Sequence, residues 1–462
     1  MLATAQLISL PYLANSADWF VLIRHLPQAI WLDSGCPLSD YGRFDILSAA
    51  PSVKLDTRGA NTAISHSNGA SSNSSENPFQ LVQHYLTPTK PLEDIPFSGG
   101  ALGYFAYDLG RRLEQLPQTA LQDIELPDMS VGIYPWAIIQ DHQRQIAWLV
   151  INETLAPAYN FLEIQQMLMF HKPKVNYELE VFPFSINKFQ SNVNAKKYAS
   201  AIAKIQQYIT AGDCYQVNFA QRFSSDYRGD PLAAYLHLRS ALPSPFSAFM
   251  QLNQGALLSL SPERFIQIQG AHVETKPIKG TIARGLTAEE DRRNAETLQA
   301  SAKDRAENLM IVDLLRNDLS KTCTDIQVPE LFSLQSFANV HHLVSTITGR
   351  LKPGAQALDV LATSFPGGSI TGAPKIRAME IIEELETNRR SVYCGSLGYI
   401  SSCGNMDTNI AIRTLVCDKD KIHCWGGGGI VADSNTEQEY QETFAKVKVL
   451  LDALEKNFAV DN

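Results

Sequence analysis

Short apolar runs broken by turn residues dominate the first 185 positions of the chain. Ala29-Ile30-Trp31-Leu32 stops at Asp33-Ser34-Gly35, and Val131-Gly132-Ile133-Tyr134 stops at Pro135. Runs of this length bounded by turn residues predict strands. Gly99-Gly100-Ala101-Leu102-Gly103-Tyr104 is another, with glycines that imply close backbone packing. The Ser/Asn/Gly tract from Ser65 to Asn77 cannot bury apolar surface and is expected to be a mobile loop. Phe182 to Ser191 has few periodic positions and is the expected linker, dividing the chain into 1–185 and 191–456.

Beyond that linker the period changes. Tyr198, Ile202, Ile205 and Ile209 recur at helical spacing, and Gly212 stands where a C-terminal cap belongs. Then comes alternation: Tyr215, Val217 and Phe219 point one way, so Gln216 and Asn218 share the other face. Those two amides are either solvated or, if their face lines a cleft, hydrogen-bonding groups for a polar ligand. Leu257 to Leu260 reads as a buried strand ending at Ser261-Pro262-Glu263-Arg264, where proline keeps Ser261 extended and leaves Glu263 in a turn. A long helix opens at Ser301-Ala302-Lys303-Asp304 and runs through Leu319. Glu307 lies on its apolar stripe with Ile311 and Leu314, and a carboxylate there needs a cation, either a basic side chain or a metal.

Gly367-Gly368-Ser369-Ile370-Thr371-Gly372-Ala373-Pro374 is a glycine-rich loop before a helix, with Pro374 placed for the first turn. It lacks the lysine of a nucleotide phosphate loop. Ser396 to Ile400 and Met406 to Val416 read as adjacent strands carrying Tyr399 and Arg413. The last helix starts with a capping box, Ser434-Asn435-Thr436-Glu437, and its apolar stripe is Tyr440, Phe444, Val447, Leu451 and Leu454. Periodicity alone leaves Glu439, Glu442 and Lys446 on a solvated face. Gly427, Gly429 and Ala432 imitate a dinucleotide fingerprint, but no further strand follows the helix, which argues against a dinucleotide-dependent oxidoreductase.

Composition narrows the class. The 462 residues are 45% hydrophobic and 19% charged, as in an ordinary globular protein. A net charge of -9 without basic runs argues against nucleic acid as a partner. No apolar stretch is long enough for a membrane span and no secretory signal is visible, so no membrane partner and a cytoplasmic location are expected. Seven cysteines without CxxC spacing suggest reduced thiols, and Cys394, Cys403, Cys417 and Cys424 read as small core residues in strands.

The candidate chemistry centres on Thr275-Lys276-Pro277-Ile278-Lys279-Gly280-Thr281. Proline confines this stretch to a strand end or edge, and Lys279 projects from it. Lys279 is either a solvated charge or an amine nucleophile, the latter if desolvation or neighbouring cations such as Lys276 and Arg284 lower its pKa. Glu263, which leads into the strand pair ending at Lys279, is the natural proton-transfer partner.

Ser261-Pro-Glu-Arg-Phe, Pro277-Ile-Lys-Gly-Thr, Lys303-Asp-Arg-Ala-Glu-Asn-Leu-Met-Ile-Val-Asp, Gly367-Gly-Ser-Ile-Thr-Gly-Ala-Pro-Lys and Gly427-Gly-Gly-Ile-Val-Ala-Asp-Ser, in this order, resemble the chorismate-utilising enzymes. Trp31-Leu-Asp-Ser-Gly and Gly99-Gly-Ala-Leu-Gly-Tyr resemble the N-terminal region of the amino-transferring members. The resemblance implies a mixed α/β (α+β) fold, with two large antiparallel-rich sheets packed as a sandwich and helices outside. Gln216 stands where isochorismate synthases carry a water-activating lysine, and Lys279 where anthranilate synthases carry alanine. It therefore implies 4-amino-4-deoxychorismate formation, with anthranilate synthesis as the alternative. A catalytically silent amino-acid-binding subunit is a third reading, opposed by the intact Glu263, Lys279, Glu307 and Glu442 set.

By the same resemblance, Glu307 and Glu442 are carboxylates for Mg²⁺ with Glu439 close to the second. Lys279 is the nucleophile and Glu263 the general acid. Arg413, Tyr399 and the N–H groups of Gly427, Gly428 and Gly429 bind the enolpyruvyl carboxylate. Gln216, Asn218, Thr281, His342, Thr371 and Lys446 complete the substrate pocket, whereas His341 has no counterpart. No GxCxG nucleophile elbow is present, so ammonia is expected from a separate glutamine amidotransferase subunit. Ser34, Arg43, Pro245 and Phe246 resemble a pocket that holds tryptophan in anthranilate synthases, with Asp33 in place of a glutamate.

Overall fold

The structure, a computed structural model, describes residues 2–35, 41–170, 183–337 and 340–460. Two large sheets organise them. The first has thirteen strands and runs, along its main path, from Gln6–Leu10 at one edge through Ile30–Asp33, Phe246–Leu252, Gly255–Ser261, Thr414–Asp418, Lys421–Ile430 and Gln216–Gly229 to Phe184–Ile186. The second has twelve; its path runs from Ile278–Ala283 through Val340–Leu351, Arg264–Gln269, Met406–Asn409, Ser396–Ser401, Gly100–Phe105 and Met129–Tyr134 to the edge at Ser71–Ser74. Strands from both sides of the expected linker pair directly. Ile30–Asp33 lies antiparallel to Phe246–Leu252, and Gly100–Phe105 to Ser396–Ser401.

Alternation explains the layers. Ile30, Ile46, Ile139 and Leu257 enter a core shared with Leu55, Ala101, Val131 and Ile266 of the second sheet. Their neighbours Trp31, Leu47, Ile138 and Leu258 point to the other face, where the helices Ala17–Ile23, Pro231–Ala241 and Thr436–Phe458 cover them. Both faces of the first sheet are thus buried, which is why its strands read as unbroken apolar runs. Each fully buried Ile or Leu contributes about 1.5–3 kcal/mol relative to exposure. A third cluster seats helices Ala195–Ala211 and Lys375–Leu385 over Val217 and Phe219.

Several expectations are revised. Ser65 to Asn77 is largely a hairpin, Asn61–His66 paired with the edge strand Ser71–Ser74. An edge strand satisfies half its backbone by pairing and leaves polar side chains in water, so its composition does not forbid it. Phe182 lies outside the described residues, but Phe184–Ile186 and Gln190–Ser191 both pair with Gln216–Gly229, and Ile186 is buried. Segments of two or three residues are too short to show a period. Met406 to Val416 is two strands in different sheets, joined by a crossing at Ile410 to Arg413, with Arg413 at φ 49°. The last helix is capped by Asn435, whose side chain accepts from the N–H groups of Glu437 and Gln438. Pro374 is the N-cap of its helix, one residue before the first turn. Cys417 and Cys424 are buried in strands, while Cys394 and Cys403 lie in turns. No described helix is long and apolar enough to cross a membrane.

Candidate active site

The strand Ile278–Ala283 slips register against Val340–Leu351 between Ile278 and Thr281. Lys279 and Gly280 lie within this slip, and such a bulge re-aims a side chain. Gly280 has φ 84°, and a Cβ on it would come within 3.0 Å of Asp304 Cβ in the first turn of helix Ala302–Ser320. Glycine therefore lets the lysine strand lie against the helix that carries Glu307. Desolvation lowers the pKa of Lys279, aided by Lys446 and opposed by Glu307, Glu263 and Glu442. The expected cations are elsewhere: Lys276 pairs with Glu274 and Arg284 with Asp291.

Glu263 occupies the turn between Gly255–Ser261 and Arg264–Gln269 and is buried. Burial pushes its pKa up to about 7, against hydrogen bonds from the Ser369 hydroxyl at 2.8 Å and the Ile278 backbone. Near neutral pH this carboxyl can give up a proton and take it back. Ser369 holds the ionised form, so Ser369→Ala is expected to raise the pKa of Glu263 by about one unit. The pH at which kcat/KM declines should move upward with it; an unmoved decline would remove Ser369 from this role.

Gln216–Gly229 pairs with Lys421–Ile430, opposing Asn218 to Gly429 and Ala220 to Gly427. The glycine run is a packing requirement. A Cβ at Gly429 would collide with Gln216 Nε2 and lie 3.5 Å from Glu307 Oε2. At Gly428 it would lie 3.2 Å from Glu439 Oε2 and 3.5 Å from Glu442 Oε1, and at Gly427 3.0 Å from Tyr393 Oη. Gln216 and Asn218 are buried, not solvated, and neither Gln216 Oε1 nor Asn218 Oδ1 has a hydrogen-bond partner among the described residues. Buried acceptors in this state suit a ligand that donates.

Of the groups expected on a solvated helix face, Glu442 and Lys446 are about half exposed as expected, whereas Glu439 is buried. Glu439 is 4% exposed, accepts from Ser434 Oγ at 2.7 Å, and has Lys303 Nζ 3.5 Å away. Glu442 pairs with Lys446 at 2.6 Å, and Lys446 also donates to the Gly427 carbonyl at 2.8 Å. Burial raises the pKa of Glu307. These hard oxygens meet around two adjacent glycines with incomplete charge compensation, which suits Mg²⁺. Among the described residues no three His, Cys, Asp or Glu side chains close into a finished ligand set, and two lysines take up Glu439 and Glu442 instead.

Around this centre, Thr281 and His342 share a 2.7 Å hydrogen bond. Burial, with help from Arg413, pushes His342 down to about 4, so it is neutral at pH 7. Desolvation lowers the pKa of Arg413, and it makes no ion pair among the described residues, which leaves its guanidinium ready for an anion. Thr371 spends its hydroxyl on the Gly367 carbonyl, and its own carbonyl accepts from the Asn218 N–H. Buried Arg390 ties this loop to the strand by donating to the Ile370 and Asn218 carbonyls while paired with Glu386. His341, next to His342 on the strand, bonds Ser336 and Asp291 instead.

Tyr399 is the residue that the structure moves. It lies in a strand whose side chains face a second cavity, stacked edge-on against Phe97, and Tyr393 stands at Gly427 instead. Tyr393 lies in the turn before strand Ser396–Ser401, and Tyr399 within that strand. Tyr393 and Ser369 were missed: the first has no periodic signature, and the second sat unremarked between the loop glycines. The second cavity, about 250 Å³, is lined by Ser34, Arg43, Pro245, Phe246 and Tyr399 among others. Ser34 bonds Asp45, Arg43 bonds Asp141, and Asp33 is engaged by Tyr235 and Arg239.

A buried acid, a desolvated amine, an acidic cluster and, near His342, an arginine without an ion pair among the described residues suit an anionic substrate. The profile of the chorismate binding enzyme family matches residues 28–452. The chain belongs to that family. It is 50% identical over 457 residues to aminodeoxychorismate synthase component 1 of Escherichia coli (strain K12), covering 97% of this chain and 98% of that one. It is 39% identical to anthranilate synthase component 1 of Thermus thermophilus, covering 81% and 82%. Among solved structures, anthranilate synthase component I from Streptococcus pneumoniae superposes with a TM-score of 0.79 at 31% identity, covering 89% and 93%.

Proposed function

We propose that this chain is component 1 of an aminodeoxychorismate synthase. It converts chorismate and ammonia to 4-amino-4-deoxychorismate, for 4-aminobenzoate and folate, with ammonia from a glutamine amidotransferase subunit. The observation that carries this reading is Lys279, a desolvated amine on a bulge beside the buried acid Glu263. Near-full-length identities of 46–50% to three relatives of that name support it.

The neutral amine of Lys279 attacks C2 of the ring while Glu263 protonates the C4 hydroxyl. The C2–N bond forms, both ring double bonds shift by one position, and the C4–O bond breaks to release water. Ammonia then adds at C4, the double bond shifts back, and Lys279 departs as its neutral amine. The new C4 ammonium returns a proton to the Glu263 carboxylate. The enolpyruvyl ether is never broken, so no pyruvate is lost. Arg413 and the N–H groups of the glycine strand hold the enolpyruvyl carboxylate, with Gln216, Asn218, Thr281 and neutral His342 as uncharged contacts.

Glu307 and Glu442, with Glu439 beside them, would hold Mg²⁺, which when bound supplies positive charge to the ring carboxylate. Glu442→Gln and Glu307→Gln are each expected to weaken Mg²⁺ binding about tenfold or more, read by titration calorimetry. Unchanged affinity in both would move the metal elsewhere. We read the 250 Å³ cavity as an amino-acid pocket for tryptophan, its aromatic floor Phe246 and its polar rim Ser34 and Arg43. Unfolding purified protein and assaying released tryptophan tests it.

Product analysis with chorismate, Mg²⁺ and excess ammonium tests the main reading. Aminodeoxychorismate without pyruvate is expected. Anthranilate plus pyruvate would make the chain an anthranilate synthase component instead.

A further inference from the structure

The acidic cluster already contains a cation of its own. Glu439 is 4% exposed, yet its compensation is one hydroxyl, Ser434 Oγ at 2.7 Å, and one ammonium, Lys303 Nζ at 3.5 Å. A carboxylate so buried is costly without a counter-charge. Lys303 supplies it from the first turn of helix Ala302–Ser320, four residues before Glu307. Its field also reaches Glu307 and Glu442. The contact is loose. Glu439 is the only hydrogen-bond partner of Lys303 among the described residues, and the lysine side chain is 48% exposed, so it can swing into water at little cost. Lys446, the other cation here, is anchored twice, by Glu442 and the Gly427 carbonyl.

We propose that Lys303 is the resident counter-ion of this cluster, seated on Glu439 while the divalent cation is absent and displaced when it binds, so that Lys303 sets the cation affinity. The proposal rests on the reading of Glu307, Glu439 and Glu442 as a Mg²⁺ site. The physical argument is competition: an ammonium and a dication cannot share one carboxylate without repulsion, so removing the ammonium favours the dication. A lysine that merely supported the fold would leave affinity unchanged or weaken it on removal.

The test is Mg²⁺ binding to the full chain without substrate, by titration calorimetry, on wild type, Lys303→Met, Lys303→Arg, Glu439→Gln and the double variant Lys303→Met with Glu439→Gln. Lys303→Met is expected to bind Mg²⁺ about three- to tenfold more tightly, while Lys303→Arg stays near wild type. In the Glu439→Gln background, Lys303→Met should have little further effect, because the pair is already broken. Unchanged or weaker binding by Lys303→Met in a folded protein overturns the proposal, as does full additivity with Glu439→Gln. If wild type itself binds no Mg²⁺, the metal reading fails and the proposal falls with it. Wild-type binding with an inert Lys303→Met fells this proposal alone.

Discussion

Lys279→Ala is expected to lower aminodeoxychorismate formation about 10³- to 10⁵-fold, as loss of a covalent nucleophile does elsewhere. Its KM for chorismate should change far less, because the proposed substrate anchors, Arg413 and the glycine N–H groups, are independent of the amine. The reason for so large an effect lies in the route. Without the amine, ammonia must displace the C4 hydroxyl group directly, and no other described nucleophile projects from this bulge. Lys279→Arg should not rescue, since a guanidinium stays protonated and cannot attack. Mass spectrometry adds a second readout: wild type quenched with chorismate in the absence of ammonia should carry an adduct of chorismate less water, and Lys279→Ala none. Turnover within tenfold of wild type would leave the reaction standing and remove Lys279 from its centre.

Glu263→Gln is expected to cost about 10²- to 10⁴-fold in kcat, the usual worth of a positioned acid. Glutamine keeps the size and accepts from Ser369, but has no proton for the C4 hydroxyl. The pH dependence separates this from a structural effect. The protonated form is the active one and burial pushes the pKa to about 7, so wild-type kcat/KM should fall about tenfold per unit above that pH. In the glutamine variant the residual activity should lose this decline. Stability moves oppositely. The folded pKa is raised above the unfolded value of about 4.3, so the folded state favours the proton, and stability is lost as pH rises from there to about 7. Glu263→Gln removes that loss and should raise Tm at pH 8, with the gap closing toward pH 4. A variant that is less stable at pH 8, or a decline that persists, would contradict the assignment.

The two experiments bear on one device. Burial lowers the pKa of an amine and raises that of a carboxyl, so a single desolvated pocket shifts Lys279 toward the free amine and Glu263 toward the acid. Either group in water would sit in the wrong protonation state at pH 7. Ser369 and the Ile278 N–H keep Glu263 from drifting further upward.

Much of this was legible along the chain, wherever the information is local. Apolar runs ending at Asp33 and Pro135, the helix opened by Ser301, the cap at Gly212 and the alternation that puts Gln216 and Asn218 on one face all depend on neighbours a few residues apart, and the structure has them there. The resemblance to the chorismate-utilising enzymes rested on such stretches too. Contacts across long separations were beyond it. Ser369 reaches Glu263 over 106 positions and Lys303 reaches Glu439 over 136. Periodicity placed Glu439 in solvent because a helix pattern records only its own stripe, while a second helix and a glycine strand bury its N-terminal turn. Tyr393 displaced Tyr399 at the glycines because the strand begins at Ser396, a boundary set by pairing with Gly100–Phe105. Residue order by itself determined which elements form and which chemical groups they carry. Only the tertiary structure decided which of those groups lose their water, and it is desolvation that shifts the Lys279 amine and the Glu263 carboxyl toward their neutral forms, on which the proposed roles rest.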